Sequence, residues 1–256
     1  IVVFLHNKDI ITIMSSKKIK AMQESGLILS RVKKELRQAI KPGITTLTLD
    51  KLAEKIIVSS GAFPSFKTVR GYDFTTCINT NSGMVHGMPN NKTLKPKDVV
   101  TVDCGVYFQG FHTDSAFTMQ IPPLVETTTK FLSVGEEALK KAISRAVPGN
   151  SVYDISLALQ ETVEKAGYSV SRDLTGHGVG QKLHQAPNIS CFAIPEDKNI
   201  ILKKDQTLAI EIMYAQGRPE LEQEADGWTL STTDNSLAGM FEHTVAVSSP
   251  HPTILT

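Results

Sequence analysis

The sequence repeats its own outline. A Pro-Gly pair closes one apolar helix and a single glycine closes the next, first at Pro42-Gly43 and Gly61, then at Pro148-Gly149 and Gly167. The spacing between these landmarks is the same in both halves. A chain built this way must pack two like units against each other, and its period is far too long for a solenoid. Ile19, Met22, Leu29, Val32, Leu36 and Ile40 recur at helical spacing, with Ser15 and Ser16 as the expected N-cap. Leu49, Leu52, Ala53, Ile56 and Ile57 mark a second helix after Thr45 or Thr46. The counterparts are a helix from about Phe131 to Pro148-Gly149 and another from Val152 to Gly167. Strand-like runs follow in each half, Val99 to Asp103 and Leu208 to Glu211, each behind a Lys- and Asp-rich lead. Phe74 to Asn79, Ser115 to Ile121 and Phe241 to Val247 are further strand candidates. Helices followed by strands favour an α+β class, with helices on one face of a largely antiparallel sheet. Pro122-Pro123 is the expected joint. The pattern sets one domain over 15–256, with repeats over about 15–122 and 123–248 and an N-terminal lead over 1–14, expected to be partly disordered. Neither half shows a core of its own in the pattern.

Composition excludes several classes. Lys plus Arg is 27 and Asp plus Glu is 26, so the charge balance lacks the basic excess of a protein that holds DNA by bulk charge. Hydrophobic residues at 41% argue against wholesale disorder. No apolar run approaches the roughly 20 residues that span a bilayer. Ile1 to Leu5 is apolar but lacks a cationic leader, so it is not read as a signal peptide. Cys77, Cys104 and Cys191 are odd in number and form no C-x-x-C, which favours a reducing cytoplasm over a disulfide framework.

The informative residues are polar groups inside apolar strands. Asp103 sits in V-V-T-V-D-C-G-V, Glu211 in L-A-I-E-I-M and Glu242 in M-F-E-H-T-V-A-V. Any one alone reads as an edge strand with its acid in solvent. Three together point to carboxylates that are paired or bound to a cation, because burial is otherwise costly. Asp114 follows Asp103 across a Gly110 turn, so a hairpin can bring both acids to one point. His177 lies in T-G-H-G-V-G, where small neighbours would let a ligand approach, and His184 follows it. His86 lies in the turn-like V-H-G-M-P-N. Carboxylates and imidazoles without thiolates suit a pair of divalent ions, Mn, Fe, Co or Zn. Two such ions sit about 3.5–4 Å apart and ionise a bridging water near neutral pH, which supplies a nucleophile for amide hydrolysis.

In order and spacing these residues resemble the methionine aminopeptidases, specifically the short bacterial-type (type I) group. The resemblance runs from about Ile11 to Val247. It rests on V-H-G-M-P, V-D-C-G, G-F-H-T-D, G-H-G-V-G-Q-K-L-H-x-x-P, I-E, D-G-W-T and F-E-H-T. It implies the pita-bread fold, two pseudo-symmetric α/β halves with a curved antiparallel sheet covered by helices. It also implies that Asp103 binds one metal, that Asp114 and Glu242 bridge two, and that His177 and Glu211 complete the second. Glu211 would shuttle the proton, His86 would stand by the scissile nitrogen and His184 by the carbonyl oxygen. Tyr72, Cys77 and Trp228 would wall the methionine pocket. As a small buried hydrophobe Cys77 needs no such role. Ile212, Met240, Gln185 and Leu183 depart from the family's usual proline, glutamine, glutamate and phenylalanine, and Phe66 and Val69 fall at less certain pocket positions. None of these removes a metal ligand.

The resemblance implies removal of the initiator methionine from nascent chains, with a small second residue preferred, by a cytoplasmic monomer. The rival readings are an Xaa-Pro aminopeptidase or dipeptidase of the same fold and a non-catalytic binding module. Xaa-Pro enzymes usually carry a further N-terminal domain, which the few residues before the first expected helix do not supply. Binding modules typically lose ligands that this chain keeps. Lys17-Lys18-Lys20, Lys33-Lys34 and Lys203-Lys204 are basic clusters expected on solvated faces, and the resemblance offers ribosome docking as their use.

Overall fold

The structure is a computed structural model that describes residues 7–256, with side chains from residue 17 onward. The apolar run Ile1 to Leu5 and the first part of the expected lead lie outside the described residues. The first half holds α1 (Asn7–Ala39), α2 (Thr46–Ser59), β1 (Phe63–Pro64), β2 (Thr76–Thr80) and β3 (Gly83–Val85). It closes on a long hairpin of β4 (Val99–Phe108) and β5 (Phe111–Gln120). The second half holds α3 (Glu126–Ser144), α4 (Val152–Lys165), β6 (Ser169–Val170), β7 (Thr175–Gly178) and β8 (Gln185–Ser190). It continues through β9 (Thr207–Ala215), β10 (Leu221–Gln223), β11 (Leu230–Thr232), β12 (Ala238–Ala246) and β13 (Thr253–Ile254).

Two expected boundaries are corrected. Helix α1 is already formed at Asn7, so Ser15 and Ser16 lie within it and do not cap it. Helix α3 stops at Ser144, before Pro148. Thr45 does cap α2, its side chain accepting from the Thr48 amide at 3.1 Å.

The described strands pair antiparallel throughout, in a four-stranded sheet with β4 central, a six-stranded sheet around β9 and β12, and a small sheet of β10, β11 and β3. Two backbone bonds of the first half have counterparts in the second. The Gly43 amide donates to Leu94 O at 2.8 Å, and Gly149 to Leu202 O at 3.1 Å. The Lys97 amide donates to Ile121 O at 3.0 Å, and Asp205 to Val247 O at 2.9 Å. Lys97 and Asp205 both turn the chain through positive φ, 72° and 64°, just before β4 and β9.

Each half has its own core, contrary to the expectation from the pattern. One cluster gathers Leu29, Val32 and Leu36 of α1 with Leu49, Val102 and Phe117 of the first half. The other gathers Phe131, Leu159, Ile210, Tyr214 and Val245, with only Met84, Val85 and Ala116 from the first half.

Beside the backbone pairing of β3 with β11, a seam of hydroxyls between β5 and β12 joins the halves. Thr118 Oγ1 donates to Met240 O at 2.7 Å and accepts from the Met240 amide at 3.0 Å. Thr244 Oγ1 donates to Asp114 O and accepts from the Asp114 amide, both at 2.8 Å. Ser115 Oγ donates to Glu242 O at 2.7 Å. These side chains stand in for a backbone ladder and pair groups that burial would otherwise strand. Among the described residues no helix is long and apolar enough to cross a membrane.

Candidate metal centre

Strand register brings the acids together. In the β4–β5 hairpin Gly105 pairs with Asp114 and Asp103 with Ala116, so the two aspartates are diagonal neighbours on one face. Gly110 makes the tight connection, at φ 88°. In the second sheet Glu211 lies directly opposite Glu242. His177 pairs with Ala209, which places it diagonal to Glu211. The seam then holds Asp114 against Glu242.

The glycines beside His177 answer to backbone packing. A Cβ on Gly176 would stand 2.6 Å from Ala209 O, and one on Gly178 would stand 2.3 Å from Ala186 O. They let β9 and β8 press on β7. The small neighbours therefore fix the histidine's place in the sheet, where the sequence suggested room for a ligand.

Asp114, His177, Glu211 and Glu242 are buried, Glu242 to 1% exposure, and Asp103 is half-buried. Ligand atoms fall into three groups whose members all lie within 4.8 Å of one another. They are Asp103 with Asp114 and Glu242, His177 with Glu211 and Glu242, and Asp114 with His177 and His184. The sequence placed His184 only at the substrate, whereas here it also stands within reach of two ligand candidates. Asp103 Oδ1 and Glu242 Oε2 are buried without a hydrogen-bond partner among the described residues.

Burial pushes all four carboxyl groups up. For Asp103 the neighbouring Asp114 and Glu211 add to it, and for Glu211 and Glu242 the Asp114 charge does. Asp114 is pushed up to about 7. Like charges directly opposite in a sheet repel, so four ionised acids here require cations.

The His177 Nδ1–H donates to the Gly178 carbonyl at 2.9 Å, which turns Nε2 toward the acids. Nε2 stands 4.0 Å from Asp114 Oδ2 and 4.0 Å from Glu211 Oε1. That is too long for a hydrogen bond and leaves space between them for an ion. Burial, then His184, lowers His177 to about 4, so the imidazole is neutral and able to ligate. Four carboxyls, two of them with an orphaned oxygen, and one imidazole fit divalent cations held by oxygen and nitrogen.

The acids form the floor of a cavity of about 300 Å³, and all ten residues named from the sequence line it. Phe66, Tyr72, Cys77 and Leu183 pack into a small apolar cluster with Trp228 against it. The Tyr72 hydroxyl donates to Thr76 O at 2.8 Å, and its ring meets Trp228 edge-on at 5.1 Å. Asp50 of α2 positions this wall by accepting from the Thr75 and Thr76 amides, each at 2.9 Å, which sets the start of β2. Cys77 then falls opposite Asp103. Burial and the Asp103 charge push its thiol up, so it stays neutral, as an apolar wall requires. His86 and His184 stand at the open side, both lowered by burial. The His184 ring lies 4.5 Å from that of His177.

Of the departures, Leu183 and Met240 line the cavity, while Ile212 is buried and does not line it. Val85, Met213, Asp173, Leu174 and Thr175 also line it and were missed in the sequence. Asp173 and Thr175 had one usable signal, their place just ahead of His177.

Comparison with known proteins gives the family. Residues 20–249 match the profile of metallopeptidase family M24. The chain belongs to that family. It is 38% identical to a methionine aminopeptidase of Clostridium perfringens over 96% of this chain and 98% of the other. It is 39% identical to methionine aminopeptidase 1 of Bacillus subtilis over 94% and 96%. The crystal structure of the Thermotoga maritima methionine aminopeptidase superposes with a TM-score of 0.91 at 36% identity, over 94% of this chain and 96% of that one. Prolidase from Pyrococcus furiosus shares the fold at a TM-score of 0.75 and 21% identity, with 94% of this chain and 64% of that one covered. The pita-bread fold expected from the motifs is therefore the fold of this M24 member.

Proposed function

We propose that the chain is a methionine aminopeptidase that removes the initiator methionine from new proteins and peptides. The carrying observation is one cavity with a carboxylate and histidine floor and a closed apolar wall. Near-full-length likeness to methionine aminopeptidases supports the same reading.

In this reading Asp103, Asp114, His177, Glu211 and Glu242 hold two divalent ions, with Mn, Fe, Co and Zn all compatible with the donors. Asp114, Glu242 and His177 each belong to two of the three close groups, but His177 has one ring nitrogen committed to Gly178 O, so the two carboxylates, with two oxygens each, are the shared ligands. Bound there, the ions supply Lewis acidity toward the scissile carbonyl and acidify water.

The remaining steps belong to side chains. Glu211 is buried among acids and takes the proton of the attacking water, then returns it to the departing amine. His184 donates to the carbonyl oxygen, and His86 holds the scissile nitrogen. The methionine side chain, unbranched and polarisable, lies against Tyr72, Cys77 and Trp228 with its sulfur near the rings. The residue after it is small, as the resemblance implies.

Residues 15–256 form one catalytic domain of two repeats, 15–122 and 123–248. The enzyme acts as a cytoplasmic monomer on chains leaving the ribosome, with Lys203-Lys204 as a docking point. The Xaa-Pro reading gains nothing from the prolidase likeness, which extends to the fold alone.

Hydrolysis of Met-Gly-Met, Met-Ala and Xaa-Pro peptides with Mn, Fe or Co added tests the proposal. Release of methionine from the first two is expected. Cleavage of Xaa-Pro with Met-Ala left intact would overturn it.

A further inference from the structure

Phe241 and His243 flank Glu242 in β12, so they face the other side of the sheet. There a cavity of about 740 Å³ opens between α1 and α3. Lys33, Lys34 and Arg37 line one wall at helical spacing, and Lys140 stands on the other. Glu136, whose charge acts on Arg37, is the only acidic side chain in the lining among the described residues, and Thr256 at the chain's end also lines it. None of the four cations has a carboxylate within 4.0 Å among those residues.

The cations are arranged against the fold. Lys33 was expected on a solvated face, yet it is half-buried and its ammonium donates to Ser115 Oγ. Burial, then the nearby Arg37, pushes it down to about 8, as an unbalanced cluster would. The Arg37 guanidinium lies 3.9 Å over the Phe117 ring and donates no hydrogen bond to a described residue. Its planar fork is left for an outside acceptor with two oxygens. Leu139, Ile143, Phe241 and Ile254 complete the cavity as an apolar surface. A cleft with this charge excess concentrates anions. Its apolar part selects one with a flat or greasy body.

We propose that this groove binds a small organic phosphate. Arg37, Lys34 and Lys140 hold its phosphate oxygens, and its body rests on Phe241 and Leu139. The groove lies behind the catalytic acids and is separate from the methionine pocket.

Calorimetry with ADP and with adenosine, on the protein as isolated at low salt, tests the site. ADP is expected to bind and adenosine to bind at least tenfold more weakly. Lys34→Glu with Arg37→Glu should weaken ADP at least tenfold, with peptide hydrolysis retained. Lys140→Glu, from the opposite wall, should weaken it several-fold and decides the matter if the double variant fails to fold. Absence of ADP binding, equal binding of adenosine, or affinity untouched by these substitutions would overturn the proposal. So would loss of ADP binding in Asp114→Asn, which would place the phosphate on the metal centre instead.

Discussion

His86 shows how a single residue is set for its task. It occupies the left-handed region at φ 59°, which histidine adopts more readily than β-branched residues do. The following Gly87 is pressed on β2, its carbonyl accepting from the Ile78 amide at 2.8 Å. The turn therefore aims the imidazole into the cavity mouth at some cost in backbone strain. Burial, then His184, keeps the ring neutral. His86→Ala should lower kcat by about 10²–10⁴, the usual worth of a positioned acid-base group, while the divalent metal content stays unchanged. Metal analysis beside steady-state kinetics checks both. Loss of metal in that variant would make His86 a ligand. The four acids and His177 were legible because a charged or imidazole group inside an apolar strand is conspicuous, whereas His86, in a turn, was legible only through its motif. Met213 and Val85 were not, because an apolar residue in an apolar strand looks the same whether it faces a core or a cavity.

Elements were legible to the extent that one face stays wet. The helices carried a clear stripe, so α2 and α4 were located closely. Strands β4 and β5 each run ten residues, longer than the sequence indicated, because they are buried on both faces and lack alternation. The start of α1 was misplaced because a serine caps a helix only where the chain before it leaves the helix. The hydroxyl seam was invisible, since a threonine in a strand carries no mark of its partner. It is testable. Thr244→Val keeps the shape but strands the amide and carbonyl of Asp114, two buried groups whose loss of partners costs about 1–3 kcal/mol each. Denaturant unfolding should show a fall of roughly 2–6 kcal/mol on that basis, and metal affinity should drop because Asp114 loses its anchor. Thr244→Ser retains the hydroxyl and should restore most of both. An unchanged midpoint in Thr244→Val would show that the seam carries no weight.

At the scale of the whole molecule, near-neutral charge conceals a local imbalance. Asp103, Asp114, Glu211 and Glu242 come from both halves, two from each, and the fold forces them together where the seam closes. All four are held above the usual carboxylate range, with Asp114 at about 7. Without metal, the folded chain keeps protons that the unfolded chain releases above about pH 4. The native state then binds more protons, and stability must fall as pH rises from about 4 toward 7. Metal replaces those protons and removes the slope. An ion at a hundred times its Kd adds about 2.7 kcal/mol per site at neutral pH, and less in acid where protons compete. Melting curves in a chelator should therefore drop between about pH 4 and pH 7, while curves with Mn²⁺ should stay nearly level. The gap between the two should widen with pH. Parallel curves would mean that the four acids do not titrate as a cluster, and that the seam tolerates their charge without a cation.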